Sequence, residues 1–320
     1  MKEVVIFGGA GYIGSWVARR LARKPDGVRV ILADIKPPAT AIENSDFVEC
    51  DVRHDISGSL AASRPDWIFN FAAVHREPGH ARHEYFDTNV AGARNVCAYA
   101  EKVGCRNILF TSSISVYGPT TGPVDEESPK YPTTPYGISK LCAELIHEGW
   151  QRAGSDRRLI ICRPGVIYGP GDIGNILRML RAVKKRYFFF PGSPRIRKSY
   201  GYIFGLIDSF EFMIGRPDDQ VMVYNYVERE TETIGAIVAH AKHVLGVRSM
   251  VISIPKELLV AVAWLVQAAS FGKSSIHPVR VRKAATATHV IPRVLQELKF
   301  PFQYDFQSSI RDWASRATDW

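Results

Sequence analysis

Short β-branched runs alternate with longer, half-apolar segments through the first half of the chain, the pattern of βαβ units feeding a parallel sheet. Strands are predicted near residues 3–8, 28–34, 45–50, 66–71, 107–112 and 158–163, and helices near 12–24, 55–62, 82–103 and 136–153. Each helical segment has the one-sided periodicity of an element that covers one face of a sheet. After Gly169, Pro170 and Gly171 the alternation stops; one more strand is predicted at 221–226, with helices at 203–215, 231–246 and 256–271. The expected fold class is α/β, a doubly wound parallel sheet with a smaller, largely helical C-terminal lobe. Residues 1–166 and 202–227 are expected to form the sheet domain, and residues 167–201 and 228–320 the lobe. There is no internal repeat, low-complexity tract or flexible linker.

Composition narrows this picture. With 320 residues, 46% hydrophobic and 23% charged, the chain can bury one large core and a smaller appended one. The longest apolar stretch, residues 258–271, is broken by Gln267 and Ser270 and falls short of the roughly 18 to 20 residues that a bilayer helix needs. A core or interface helix is expected there, and no membrane partner. Met1, Lys2 and Glu3 run straight into the first strand, so a cytoplasmic protein without a leader is expected. Cys50, Cys97, Cys105, Cys142 and Cys162 are odd in number and contain no C-x-x-C pair, which points to reduced thiols. The formal charge of +9 suits a phosphorylated small molecule, nucleic acid or an anionic surface, and does not choose among them.

The first strand leads directly into Gly8-Gly9-Ala10-Gly11-Tyr12-Ile13-Gly14 and then a helix. Glycines at 8, 11 and 14 serve a tight turn, a close backbone approach to a pyrophosphate, and close packing of helix on sheet. The helix N-terminus then meets the anion with free N–H groups. The second strand ends at Asp34, 20 residues beyond Gly14, where a carboxylate can hold a ribose 2′-hydroxyl and repel a 2′-phosphate. NAD is therefore favoured over NADP, although Lys36 stands close enough to welcome the phosphate. Asp51, Val52 and Arg53, past the third strand, offer a polar edge to an adenine.

Thr133-Thr134-Pro135 is a helix start, and it places Tyr136 and Lys140 four apart on one helical face. An ammonium beside a phenol favours the phenolate, which can exchange a proton with a substrate hydroxyl. Ser112 and Ser113 end the fifth predicted strand, at the sheet edge where open α/β proteins bind ligands. A hydroxyl there can stabilise a forming alkoxide.

Together these residues resemble the extended short-chain dehydrogenase/reductase superfamily, in its NAD-dependent epimerase/dehydratase branch. The resemblance runs from the glycine turn through Asp34, Asn70-Phe71-Ala72-Ala73, Asn89, Ser113 and Tyr136-x-x-x-Lys140 to the stretch from Arg163 to Gly171 and into the C-terminal lobe. It implies a Rossmann domain in which Gly8, Gly11, Tyr12, Ile13, Gly14, Asp34, Asp51, Val52, Ala72, Ala73, Asn89, Lys140, Pro164 and Gly165 contact or position NAD. It also implies Ser113, Tyr136 and Lys140 as catalytic residues, and His75, Ser112, Ser113, Val166, Arg197 and Lys198 on the substrate side. A nucleotide-diphosphate sugar is the implied substrate, and a homodimer through the helices near 82–103 and 136–153 the implied assembly.

Departures from the family pattern matter as well. Sugar 4,6-dehydratases carry acids directly after the catalytic hydroxyl, where this chain has Ile114 and Ser115. An asparagine usual in the sugar-nucleotide epimerases is replaced by Val166, and their Val-Asp-Asp segment by Ile203-Phe204-Gly205. His75, His80 and His83 fit a substrate loop better than a metal site, since no cysteine or carboxylate completes a ligand set; no metal is expected. His240 and His243 are expected at the surface, as is most of the basic run Arg178, Arg181, Lys184, Lys185 and Arg186. Arg195, Arg197 and Lys198 suit a diphosphate; Arg280, Arg282 and Lys283 either line the same groove or face water. The reading is an NAD-dependent nucleotide-sugar epimerase working through a transient keto-sugar, not a 4,6-dehydratase. A ketoreductase or dehydrogenase is the alternative, and a non-catalytic dinucleotide-binding regulator the alternative of another class. No aromatic-interleaved basic stripe supports nucleic-acid binding.

Overall fold

The six apolar runs of the first half form β1 (Glu3–Phe7), β2 (Arg29–Asp34), β3 (Ser45–Glu49), β4 (Trp67–Asn70), β5 (Asn107–Thr111) and β6 (Arg158–Pro164). The later part of the chain adds β7 (Val166–Tyr168), β8 (Phe190–Pro191), β9 (Tyr200–Tyr202), β10 (Val221–Tyr226) and β11 (Ser253–Ile254). The structure, a computed structural model, describes residues 1–25, 27–56, 58, 60, 64–216, 220–270, 274 and 276–316. Seven strands make one parallel sheet in the order β10-β6-β5-β4-β1-β2-β3. Strands buried on both faces have to be apolar throughout. Val4 to Phe7 and Ile68 to Phe69 are accordingly almost entirely sealed from solvent, whereas the edge strand β3 is largely exposed. The chain leaves β1 toward β2 on one side and reaches β4 on the other. The carboxyl ends of β1 and β4 therefore open the crevice in which doubly wound sheets bind ligands.

Helices α1 (Tyr12–Ala22), α2 (Arg82–Phe86), α3 (Gly92–Lys102) and α4 (Pro135–Arg152) occupy the predicted segments. The helix predicted at 55–62 falls largely on residues outside the described ones. The one predicted at 82–103 is interrupted by a π-turn, Asp87–Ala91. Its cause is Asn89, which turns inward: its Oδ1 accepts from Val74 N at 2.9 Å, and its Nδ2 donates to Val74 O at 3.0 Å and to Ser139 Oγ at 2.8 Å. Such bulges recur where a helix has to present a side chain off its regular register.

The second half contains α5 (Asn175–Lys184), α6 (Ile203–Ile214), α7 (Ile234–Leu245), α8 (Lys256–Ala269), α9 (Pro278–Ala285), α10 (Arg293–Glu297) and α11 (Phe306–Arg316). The strand predicted at 221–226 is the outer member of the main sheet, while β7 pairs with β9 and β8 with β11 in two small sheets. Helix α11, not expected from the sequence, seals the lobe with Phe306, Ile310 and Trp313; the first and last of these rings pack on Tyr168. Helix α8 decides between the two places expected for it. Of its 14 residues only Ala263 is buried, so it is not a core helix, and the interface alternative stays open.

Helix α4 lies on the sheet through polar contacts in addition to apolar ones. Lys140 Nζ donates to Thr111 O at 2.8 Å and sits 4.9 Å over the Phe110 ring. One turn on, Glu144 takes both arms of the Arg163 guanidinium at 2.8 Å each, with the two side chains 0% and 2% exposed. Arg163 also donates to Tyr117 Oη at 3.0 Å, and that hydroxyl donates to Asn225 Oδ1 at 2.8 Å. His147 stacks on Phe110 at 4.2 Å; its Nδ1 donates to Ala143 O at 2.7 Å, leaving Nε2 to accept from Asn70 Nδ2 at 3.3 Å. Burial, opposed by the Ala143 carbonyl, holds this imidazole down to about 4.

Two outcomes are expected from this arrangement. Glu144→Ala leaves Arg163 charged and without its carboxylate, so the unfolding free energy should fall by about 3–5 kcal/mol in a urea titration. Replacing both partners, Glu144→Leu with Arg163→Met, should recover more than half of the loss; a single variant as stable as wild type would show the pair to be dispensable. Lys140 is pushed down from 10.5 to about 7 by burial, with Glu144 opposing the shift. Between those values the unfolded chain holds a proton that the folded chain lacks, so raising the pH stabilises the fold. Relative to Lys140→Met, wild-type stability should therefore rise by about 1.4 kcal/mol per pH unit above pH 7. Parallel stability curves for the two proteins would contradict this.

Candidate active site

The turn after β1 is shaped by contacts that exclude side chains at two positions. Gly8 has φ of +74°, and a Cβ there would lie 2.6 Å from Ala72 N, so only glycine lets the ends of β1 and β4 approach. A Cβ on Gly14 would lie 2.3 Å from Gly8 O, and its absence seats α1 directly on the turn. Helix α1 begins after Gly11 with no side-chain cap and no acidic residue in its first turn, which leaves its free N–H groups available to an anion. Tyr12 packs toward Gly169, its buried Oη unpartnered, and Ile13 is half-buried on the core side.

Asp34 closes the other side of the turn. Its Oδ2 accepts from Ala10 N at 3.0 Å and its Oδ1 from Ile35 N at 2.8 Å. Burial raises its carboxyl, and these backbone donors oppose the shift. Lys36 is exposed beyond it. Asp51 is bound by Arg53 Nε at 3.0 Å, and that bond is the main cause holding its carboxyl below the usual range. Val52 is buried against Gly92, its carbonyl fixed by Asn95 Nδ2 at 2.8 Å. An uncapped helix start, a cradle that a Cβ would fill and a carboxylate at the end of β2 together fit a dinucleotide.

Across the crevice stand Ser113 and Tyr136. Ser113 follows β5 and caps a 3₁₀ turn, Ile114–Tyr117, by accepting from Ser115 N at 3.1 Å; its hydroxyl is also near enough to the Tyr136 phenol to temper the upward push that burial gives it. Thr134 caps α4 through Gly137 N, with Pro135 in the first turn, so Tyr136 sits one turn before Lys140. The phenol differs from the sequence expectation. Burial pushes it up to about 12, Ser113 partly offsets this, and the charge of Glu77 adds to it, while Lys140 points to the Thr111 carbonyl. Ser112 presents a buried hydroxyl that has no hydrogen-bond partner among the described residues.

Structure brings further residues to the same crevice. Ala72 and Ala73 border Gly8 at the end of β4, and Asn89 holds the following Val74 in both directions. His75 is exposed, and its imidazole is held down by desolvation of its inner side and by the charges of Lys140 and Arg76. Pro164 and Gly165 end β6 beside Tyr226, and Val166, 40% exposed, pairs with Tyr200. Arg197 and Lys198 diverge, as neighbours on extended backbone do. Arg197 turns to the Thr231 carbonyl in a groove that it lines with Arg229, Glu232 and His289. Lys198 reaches α9 instead, donating to the carbonyls of Lys283, at 2.8 Å, and Thr286. Burial and the like charge of Lys283 hold its ammonium down to about 8.

Glu77, Glu144 and His147 were not singled out from the sequence. Glu144 had a signal, a charged residue four beyond Lys140 on the same helical face. Glu77 joins the two halves of the site, since its charge reaches Tyr136 and its carboxylate lies 3.8 Å from Lys283 Nζ. His80 pairs with Glu84 at 2.9 Å, and His240 with Glu232 at 3.2 Å. Among the described residues no group of His, Cys, Asp or Glu is arranged to hold a metal ion.

Comparisons with known proteins place this geometry. The chain is 32% identical over 278 residues to the N-acetyl-alpha-D-glucosaminyl-diphospho-ditrans,octacis-undecaprenol 4-epimerase of Escherichia coli O157:H7, covering 82% of this chain and 84% of that protein. It is 33% identical over 192 residues to UDP-glucose 4-epimerase 3 of Oryza sativa subsp. japonica, of whose length it covers 52%. In fold it is similar to MoeE5 in complex with UDP-glucose and NAD, with a TM-score of 0.74 at 20% identity and 98% and 99% of the two chains aligned. The UDP-glucuronic acid 4-epimerase of Bacillus cereus in complex with NAD gives a TM-score of 0.74 at 17% identity, again over 98% and 99% of the chains. The sequence model of the NAD dependent epimerase/dehydratase family matches residues 4–225, and the chain belongs to that family.

Proposed function

We propose that the chain inverts the C4 carbinol of a diphosphate-linked hexose through a transient keto-sugar. The observation that carries this reading is the pairing of Ser113 with Tyr136, one helical turn before the buried Lys140, across the crevice from the glycine turn. The two curated relatives named above are 4-epimerases, which supports the choice of carbon. Bound on the turn between Gly8 and Gly14, NAD supplies the hydride chemistry. The chain itself handles the proton. Tyr136 Oη, as the phenolate that the positive charge of the oxidised cofactor would favour, takes it from the carbinol hydroxyl as the carbonyl forms and returns it as the opposite configuration is made, while Ser113 holds the same oxygen. Lys140, held by Thr111 O one helical turn beyond Tyr136, would bind the ribose of the cofactor.

Ile114 and Ser115 supply neither the acid nor the base that elimination of water requires, which supports epimerisation over 4,6-dehydration. The like-charged Lys198 and Lys283 at the rim support an anionic handle such as a diphosphate. In this reading residues 1–166 and 202–227 carry the cofactor, residues 167–201 and 228–320 hold the substrate, and the working unit is a homodimer.

Tyr136→Phe should lower kcat by about two to four orders of magnitude while leaving NAD affinity within a few-fold, because only the transferable proton is removed. Nuclear magnetic resonance of the products from a panel of diphosphate-linked hexoses tests both variant and reading. A C4 epimer supports the proposal, a 4-keto-6-deoxy sugar contradicts it, and stoichiometric NADH release moves the function to a dehydrogenase. Asp34→Ala should narrow the preference for NAD over NADP by at least about tenfold, since it removes a carboxylate that repels the 2′-phosphate. A wild-type protein that binds NADP more tightly would remove Asp34 from the ribose.

A further inference from the structure

A helix on a protein surface normally turns apolar residues inward and polar ones outward. Helix α8 does not. Eleven of its 14 residues are apolar, Ala263 alone is buried, and the outward positions Leu258, Val262 and Leu265 recur at helical spacing, 56%, 45% and 70% exposed. Trp264 beside them is 61% exposed. The inward stripe of Leu259, Ala263 and Val266 already serves the packing against α9, so the outer stripe is surplus to the fold. Ile276 and Val279, 51% and 41% exposed, extend the apolar surface to the start of α9. A cluster of this kind marks an interaction surface.

Charge and length identify what it meets. Residues 256–285 contain five lysines and arginines, Lys256, Lys273, Arg280, Arg282 and Lys283, against the single acid Glu257. An apolar stripe with an exposed tryptophan and basic flanks is the composition of a helix that lies in the headgroup region of an anionic bilayer. Fourteen residues span about 21 Å, short of the roughly 30 Å of a hydrocarbon core, so the helix can lie in the surface and cannot cross it. No described helix is long and apolar enough to span a membrane.

We infer that α8 and α9 form a docking face that seats this chain on an anionic lipid bilayer. The face adjoins the crevice. Arg280 of α9 donates to Pro78 O at 3.4 Å, Lys283 approaches Glu77, whose charge reaches Tyr136, and Lys198 is held by the carboxyl half of α9. A docked chain therefore presents the rim of its site to the membrane plane, where a sugar diphosphate carried on a polyprenol would be found. That consequence rests on the function proposed above; the docking itself does not.

Flotation of the full chain with vesicles is the test. Vesicles of phosphatidylcholine with about 30 mol% phosphatidylglycerol should bind it at least about tenfold more tightly than pure phosphatidylcholine, with loss of binding at high salt. Trp264→Glu with Leu265→Glu should weaken binding by at least about tenfold. The comparison between the two lipids uses wild-type protein, so it stands whether or not the variant folds. No binding to either vesicle, or equal binding by wild type and a folded variant, would overturn the inference. So would a wild-type dimer that the same substitutions convert to monomer, because the face would then belong to a second copy. A chain that docks but produces no epimer leaves docking intact and sinks the proposed function; one that epimerises UDP-N-acetylglucosamine but never docks does the reverse.

Discussion

The site depends on one helix lying at one axial position on the sheet. Tyr136 and Lys140 are both on α4, so a slide of a single turn, about 5.4 Å, would carry the pair away from Ser113 and the glycine turn together. Apolar packing alone resists such a slide weakly, because a shifted ridge finds a similar groove one turn on. The fork of Arg163 on Glu144 does not tolerate it. Two parallel N–H···O bonds at 2.8 Å between fully buried groups have one geometry, and moving either partner leaves a charge in a dry interior. The Lys140 bond to Thr111 O and the His147 contact to Asn70 add two more polar contacts along the same face. This polar seam earns its place through register more than through net stability.

The seam also ties distant parts of the chain to the crevice. Arg163 ends in β6, Tyr117 follows the Ser113 turn, and Asn225 lies on β10 and donates to Ile291 O at 3.1 Å. A single connected set of hydrogen bonds thus runs from the helix carrying Tyr136 to the C-terminal lobe. On the opposite flank, the π-turn at Asn89 spends regular helix geometry to clamp Val74, and so fixes the loop that brings His75 and Glu77 to the rim. The same loop is held again where Tyr85 Oη donates to Arg76 O at 2.6 Å and Arg280 to Pro78 O at 3.4 Å.

What the sequence disclosed and what it concealed follow from the range of the interactions. The glycine turn, Asp34 and the Tyr136–Lys140 spacing are local patterns whose chemistry is readable within about twenty residues. The Glu144–Arg163 pair, the Tyr117–Asn225 bond and the approach of Glu77 to Tyr136 join positions 19, 108 and 59 apart, and no local periodicity announces them. Helix α8 stays between core and interface in the sequence for a related reason. An apolar run gives the tendency to leave water but not the partner that covers it. The phenol of Tyr136 was expected to be lowered because Lys140 is its neighbour in sequence; in three dimensions the ammonium is turned to a carbonyl, and desolvation prevails.

Helix α9 stands where the rim of the crevice meets the exposed helix α8. Its basic residues face two environments: Lys283 stands between Glu77 and the ammonium of Lys198, while its partner helix exposes an apolar stripe. Burial, with the like charge of Lys283 adding to it, makes the Lys198 ammonium costly, as its fall to about 8 records. The chain holds Lys198 there with neutral carbonyls, which supply no countercharge. In the proposed function, the diphosphate of the substrate would supply it. The same anion, if its far end is a lipid, is delivered by the surface that α8 favours. The cations beside α9 and the unburied apolar stripe of α8 adjoin one another, so in the proposed function one approach of a lipid-linked diphosphate would satisfy both.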